Sequence, residues 1–595
     1  MLIECVSPET DEVYVINLDL TLRGLREYIE EDNPDMQTLS SYDYDRAVQD
    51  LVEIRKFNKK VLPFVVKILN RHLNVELSLR SWQILLGHWL LNFSKALFYR
   101  VSLLNEILEG HKVKGIRVVD YTEIELSPIA SSNFVDQCLS ISWNEKIFLE
   151  ILSHQNFELI TKINVSGPAP FSTTDTGRRA IRYGGASRPI WKRTLLSFSK
   201  IYNAVVFWAN GPVFFYTQIP FWQRVKLSLL SGTLPSNPSS VGEPKVNEQL
   251  RLRKKLGKLL VNELQGEFQE KISYEYVYLH MLFLCLPRSF LEGFEWHRRL
   301  AESSLYPKYP EYIFLCNGFM SDPLSFYVAK QVASGTPYIV GQHGGHYGLS
   351  KLEMSDTVEE RTADAFLTWG HKNSIAPVSI PAFNWKKKLS LNTTNFDDHI
   401  VLVTRPPFPN TEQYSVAGWY RKYVESIATL VRSLDDAHFC RVIIRIHPSG
   451  APEVEKSIWA RELPGIYIDD SQKFDASVVG KNGVLVFTYL STLLYEILNS
   501  TNQIAICGVW DELRKDTQPV HRDIIERMCK EKIFFTSPTE AAHHISAIFG
   551  FSENWWAVQD RQEAMSTFNH AFNRPADQTG IAKNLLMKIR EVLET

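Results

Sequence analysis

The chain has 595 residues, 65 Lys+Arg against 67 Asp+Glu for a formal net charge of -2, and is 45% hydrophobic and 22% charged. That length exceeds what one core holds, so two large domains are expected; the composition excludes a fibrous or disordered chain, and the near-neutral balance gives no footprint for wrapping nucleic acid. The 7 cysteines lack Cys-x-x-Cys spacing, which argues against a disulfide framework or a zinc site and fits a reducing cytoplasm.

The first residues, MLIECVSPETDEVYV, have early acids and no basic region before an apolar core, unlike a secretory signal. A strand is expected at 13–18, then an acidic connection to about residue 45. From 52 to 108 apolar residues recur at helical spacing, with Trp82, Trp89, Phe93 and Phe98 on neighbouring turns. Such a stripe reads as a core, and His88 within it as a half-buried structural histidine. GIRVVDY reads as a strand and WNEKIFLEIL as a helix. The long loop that follows carries Arg178, Arg179, Arg182 and Arg188, where an anionic acceptor could be met, although a solvated loop is the simpler reading.

Residues 201–222 form the one long uncharged stretch, but its Asn210-Gly211-Pro212 break reads as a turn between buried segments, not a membrane span. PSNPSSVGEP then leads to a basic helix near 247–270. Its RLRKKLGKLL face, at 251–258 and beyond, suits peripheral contact with anionic lipid, or is simply solvated.

From Tyr312 strands and helices alternate, which implies a parallel sheet. YIFLCNGF is a strand. DPLSFYVAKQVASG is a helix with Asp322 as N-cap, Pro323 at its first position and Gly335 at its end. TPYIVGQHGGHYG is a strand running into a Gly-rich turn that presents His343 and His346, and Gly341, Gly344, Gly345 and Gly348 permit positive φ and close backbone approach. After the strand ADAFLTWG comes a Lys- and Asn-rich linker, about 371–397.

A second α/β domain starts at HIVLVTRPPFP. RVIIRIHPSG and VLVFTYLSTLLYEIL are two buried strands that end abruptly on polar residues. The first delivers Arg445, His447 and Pro448 to its carboxyl end. The second delivers Thr488 and Tyr489 and opens a helix with Ser491 and Thr492, while Thr404 and Arg405 leave the strand before them. In an open parallel sheet, ligands bind beyond the carboxyl ends of the strands, and a hydroxyl-bearing helix start suits a phosphate. A nucleotide-phosphate site is therefore expected, and Arg405 and Arg445 either neutralise the phosphate or make structural ion pairs. The segment from 554 is helical.

Two tandem α/β domains match the GT-B glycosyltransferase architecture. His447-Pro448 followed by Ser491-Thr492 resembles the HP and SS/ST motifs of bacterial sialyltransferases, polysialyltransferases and capsule β-Kdo transferases, which use CMP-activated acidic sugars. Together, GQHGGHYG, IHPSG, STLLYE, RSWQILLGHWL and LPRSFLEGFEW are similar to a family of transferases encoded in O-antigen and other surface-polysaccharide clusters. The resemblance implies an α/β, GT-B-like fold: two Rossmann-type domains facing a cleft, with a helical N-terminal elaboration. Residues 1–380 would form the acceptor-side domain, 381–550 the nucleotide-sugar domain, and 551–595 a helical segment packing back across both.

It further implies a glycosyltransferase that moves a nonulosonate or Kdo-like sugar from a CMP donor to a lipopolysaccharide or capsule glycan. No cofactor or metal is expected, and the setting is cytoplasmic or peripheral at the inner membrane face. His447, Ser491 and Thr492 would meet the CMP phosphate, and Glu496 the ribose hydroxyls or, as a surface acid, nothing. The family's acidic-acidic-Gly base motif has no clean copy here. The base is left among His343, His346 and Asp322. Two other readings stay open: a CDP-glycerol or polyol phosphotransferase of related fold, and a non-catalytic scaffold in glycan assembly.

Overall fold

The structure is a computed structural model that describes residues 2–6, 13–17, 44–110, 112–121, 125–138, 140–154, 160–165, 211–233, 244, 246–264, 273–303, 306–317, 321–345, 347–351, 358–372, 378–386, 398–405, 419–447, 452–471, 476–499, 504–508, 515–551 and 555–594. The arginine loop at 178–188, residues 235–243, His346 and Pro448 lie outside them.

β1 (Leu2–Val6), β2 (Val13–Asn17), β3 (Lys112–Tyr121) and β4 (Ile160–Val165) make a small sheet in the order β2-β1-β3-β4. The long helices α1 (Tyr44–Leu73) and α2 (Leu79–Gly110) account for the aromatic stripe: Trp82, Trp89 and Phe93 are buried, and Trp89 stacks on Phe93 at 5.1 Å.

β5 (Val213–Phe215), β6 (Ile313–Leu315), β7 (Tyr338–Gly341), β8 (Ala365–Thr368) and β9 (Ser379–Pro381) form an all-parallel sheet in chain order. Side chains alternate across a strand, so its two faces serve different cores. Val213, Phe215, Ile313, Leu315, Val340 and Phe366 join the core that contains α1 and α2. Phe214, Phe314, Ile339 and Leu367 join a second core shared with everything that follows.

β10 (Ile400–Val403), β11 (Val442–Arg445), β12 (Tyr467–Asp469), β13 (Val484–Phe487), β14 (Ile504–Gly508) and β15 (Phe534–Phe535) form a third sheet. All its strands are parallel, in the order β12-β11-β10-β13-β14-β15. Numbered within the sheet this is 3-2-1-4-5-6, the Rossmann order, with its reversal between β10 and β13.

Two expectations need correction, the linker and the Asp322 cap, and two other readings are sharpened. The segment read as a linker holds β9 and the fully buried Trp385, whose ring lies 6.4 Å from Trp369 and 6.1 Å from Phe314; its Lys and Asn content masked a strand. The uncharged stretch, described from residue 211, holds the buried strand β5 after the Gly211-Pro212 break, as the reading of buried segments expected, and no helix among the described residues is long and apolar enough to cross a membrane. In the basic helix, Leu250–Leu264, Arg253 is fully buried against Glu292 at 2.5 Å and also donates to the Phe283 and Leu286 carbonyls, so this one charge is internal, while Arg251, Lys254, Lys255 and Lys258 are exposed. Asp322 is the first residue of its helix (Asp322–Ala333), after Ser321 at the N-cap, because its carboxylate is drawn to Ser131 N–H at 2.9 Å and to the Ser289 hydroxyl at 2.5 Å.

Near the end of the chain, the fully buried Asn573 accepts from Asn384 at 2.8 Å and Asn499 at 2.9 Å, and donates to the Tyr495 carbonyl at 2.7 Å. One amide thus joins the exit of β9, the helix after β13 and the C-terminal segment.

Candidate active site

The carboxyl edge of the β5–β9 sheet meets that of the β10–β15 sheet through the turn after β7. Gln342 shapes this turn: its buried amide accepts from Trp369 N–H at 2.7 Å and donates to the Gly344 carbonyl at 2.8 Å. Gly345 then donates its N–H to the Thr492 hydroxyl at 3.3 Å. A Cβ at Gly345 would lie 2.6 Å from Tyr495 Cε2 and 3.0 Å from the Leu490 carbonyl, so only glycine allows this approach. Gly348 has φ +73 with the His371 ring where a Cβ would stand, and it alone of the four turn glycines adopts positive φ.

His343 leaves the turn half-buried. Its Nδ1 is 2.7 Å from the Tyr347 hydroxyl, which is 2.7 Å from Glu359 Oε2. Burial, then the nearby Lys386, push the imidazole down to about 4, and the Cys316 backbone pulls weakly the other way. Burial pushes the Glu359 carboxyl up to about 8, although Tyr347 favours its ionised form. Tyr347 has one proton to give, so two arrangements exist. With Glu359 ionised, Tyr347 donates to it and His343 Nδ1–H donates to Tyr347, which leaves Nε2 as an acceptor. With Glu359 protonated the chain reverses, and Nε2 carries the hydrogen.

Across the seam lies the β10/β13 reversal. Thr404 is buried and donates to Glu455 Oε1 at 2.5 Å, and the Trp459 indole donates to the same oxygen at 3.2 Å. Burial pushes Glu455 up to about 7, against the pull of Thr404, Trp459 and the His447 backbone N–H. Glu455 thereby braces the exits of both β10 and β11. Arg405 gives its backbone N–H to the Tyr423 hydroxyl at 2.6 Å. Thr488 spends its proton on the Val403 carbonyl at 2.9 Å, so Tyr423 is the donor in its 2.6 Å contact with Thr488.

The remaining expected residues divide. Arg405 is half-buried and its charge favours the ionised form of Tyr489, whose hydroxyl burial pushes up to about 12. His447 is exposed just beyond β11. Arg445 takes the ion-pair alternative, with Asp469 at 3.2 Å and the Ser471 hydroxyl at 3.0 Å. Ser491 caps the seven-residue helix Thr492–Leu498 by accepting from Leu494 N–H at 3.2 Å. Asp322 is engaged by the Ser131 and Ser289 turns, as described. Glu496 lies 3.9 Å from Lys386, which sits 5.5 Å over the Trp369 ring. Burial outweighs their attraction and moves each toward its neutral form.

Sequence reasoning missed Tyr347, Glu359, Lys386, Tyr423 and Glu455. Tyr347 was within the quoted HGGHYG turn, four residues beyond His343. Glu455, in the first turn of the helix after the HP strand, follows the βα logic of that crevice. Glu359 and Lys386 belong to polar stretches with no local signal.

A family model described as LIC12162 family transferase matches residues 15–585. The chain belongs to the LIC12162 transferase family. No curated protein matches it. For a LIC12162 family transferase, an enzyme by that description, the seam joins two features: a histidine with a hydrogen-bonded tyrosine and carboxyl behind it, and a strand-order reversal bordered by a cation and hydroxyls.

Proposed function

We propose that this transferase is a GT-B-type glycosyltransferase that moves an acidic sugar, nonulosonate or Kdo-like, from CMP to a surface-glycan acceptor. The observation that carries the nucleotide site is the 3-2-1-4-5-6 strand order, whose reversal opens a crevice between the ends of β10 and β13. Arg405, His447, Tyr489 and Ser491 border it. Cytidine and the acidic sugar rest on the resemblance of the HP and ST segments to CMP-sugar transferases.

In this reading His343 Nε2 takes the acceptor hydroxyl proton while Nδ1–H passes its own to Tyr347 and Tyr347 passes one to Glu359. The acceptor oxygen bonds to the anomeric carbon as the bond to CMP breaks. Arg405 meets the charge gathering on the departing phosphate. Glu496 meets the ribose hydroxyls in the same reading.

The test is donor hydrolysis and transfer with CMP-nonulosonate, CMP-Kdo and CDP-glycerol, beside melting temperatures with CMP, CDP, UDP and GDP. A cytidine nucleotide at 100 times its Kd should stabilise by about 2.7 kcal/mol. Turnover of CDP-glycerol alone would replace sugar transfer with phosphotransfer. Lack of any shift with cytidine nucleotides would remove the CMP reading.

A further inference from the structure

The helix Phe221–Leu230, FWQRVKLSLL, exposes the wrong face for a solvated helix. Phe221, Trp222, Leu229 and Leu230 are exposed, Trp222 at 74%. Val225 is half-buried and Lys226 exposed. These positions recur at three- and four-residue spacing, so they share one side. The opposite side is anchored: Leu227 is fully buried, and the Gln223 amide donates to the Gln578 carbonyl at 2.6 Å and accepts from Ala582 N–H at 3.3 Å. Single exposed apolar residues are ordinary, but four large ones on one face of 10 residues make a patch that marks an interaction surface.

The chemistry of the patch selects its occupant. The helix carries Arg224 and Lys226 and no acid, and the Arg224 guanidinium lies 5.8 Å over the Phe221 ring. An aromatic and aliphatic face flanked by cations suits the boundary between headgroups and acyl chains of an anionic bilayer, where tryptophan concentrates. At about 15 Å such a helix lies in the membrane plane and does not cross it. The structure assigns this helix as a membrane-docking element that seats the protein on an anionic lipid surface. The assignment is independent of the donor. The docking helix differs from the basic helix Leu250–Leu264, whose exposed Arg251, Lys254, Lys255 and Lys258 have no aromatic residue on the same helix.

Cosedimentation of the full chain with vesicles of phosphatidylcholine, with or without phosphatidylglycerol, tests this. The protein should bind the anionic vesicles and release with added salt. Trp222→Glu and Phe221→Ala should each lower affinity by roughly tenfold or more, given the apolar surface lost or charged. Lys226→Glu should weaken binding, and Lys254→Glu with Lys255→Glu and Lys258→Glu should retain most of it. Unchanged melting temperatures would establish that the variants fold. The assignment is overturned if the wild type stays in the supernatant, if Trp222→Glu binds like wild type, or if only the triple lysine variant loses binding. It is also overturned if light scattering reveals a vesicle-independent dimer that Trp222→Glu dissolves, which would give the face to a second copy.

Discussion

Gly345 and Thr492 are joined by a 3.3 Å hydrogen bond that crosses from one parallel sheet to the other. The site is built around that crossing, and the contact tolerates no extra atom. Gly345→Ala should cost about 1–3 kcal/mol by overpacking against Tyr495. Urea denaturation would measure the loss, and an unchanged midpoint would show that the seam can yield.

The proton path predicts a pH dependence. The acceptor form of His343 Nε2 needs Glu359 ionised, and burial pushes that carboxyl up to about 8. Transfer should therefore rise with pH through a limb near 8. Glu359→Gln should flatten the limb, and Tyr347→Phe should sever the path with a loss in rate. His343→Ala should lose on the order of 100-fold or more, the contribution of a general base. A wild-type limb that persists in Glu359→Gln would assign it to another group.

The pair Arg253–Glu292, with side chains 0% and 2% exposed, predicts a stability effect far from the site. Glu292→Ala leaves a buried guanidinium without its counter-charge and should cost about 3–5 kcal/mol. Thermal or denaturant unfolding checks it. A cost below about 1 kcal/mol would mean that the carbonyls of Phe283 and Leu286 suffice.

His371 predicts part of the acid sensitivity. Its ring is buried against Gly348, neither ring nitrogen has a hydrogen-bond partner among the described residues, and burial followed by His521 pushes its pKa down to about 3. The unfolded chain, with a histidine near 6.5, binds this proton more tightly. Stability from the neutral ring is thus full above pH 6.5 and falls toward pH 3, by up to about 1.4 kcal/mol per pH unit. His371→Leu should shift acid unfolding to lower pH, as followed by circular dichroism.

The strands RVIIR, VLVF, IVLV and YIV were legible because β-branched runs ending on polar residues have few other uses. Helix α2 was legible from its apolar period. β5 escaped notice because VFF sits inside a longer apolar stretch, where periodicity cannot separate strand from helix. β9 and Trp385 were hidden by composition. At the site, residues at strand exits could be named from local pattern, since a strand end fixes where its next residues go. Whether Arg445 would meet a ligand or Asp469 depends on a neighbouring strand, and which groups stand behind His343 depends on the fold of residues 358–362. Local sequence holds neither fact.

Asn573 binds three segments whose numbers run from 384 to 573, and it does so at one corner of the seam. A buried amide with these partners resists separation, because each broken contact strands a polar group. If the two sheets part to admit a donor or release a product, that corner is the natural axle, and displacement grows with distance from it. The C-terminal segment would then act less as a cover than as a bearing.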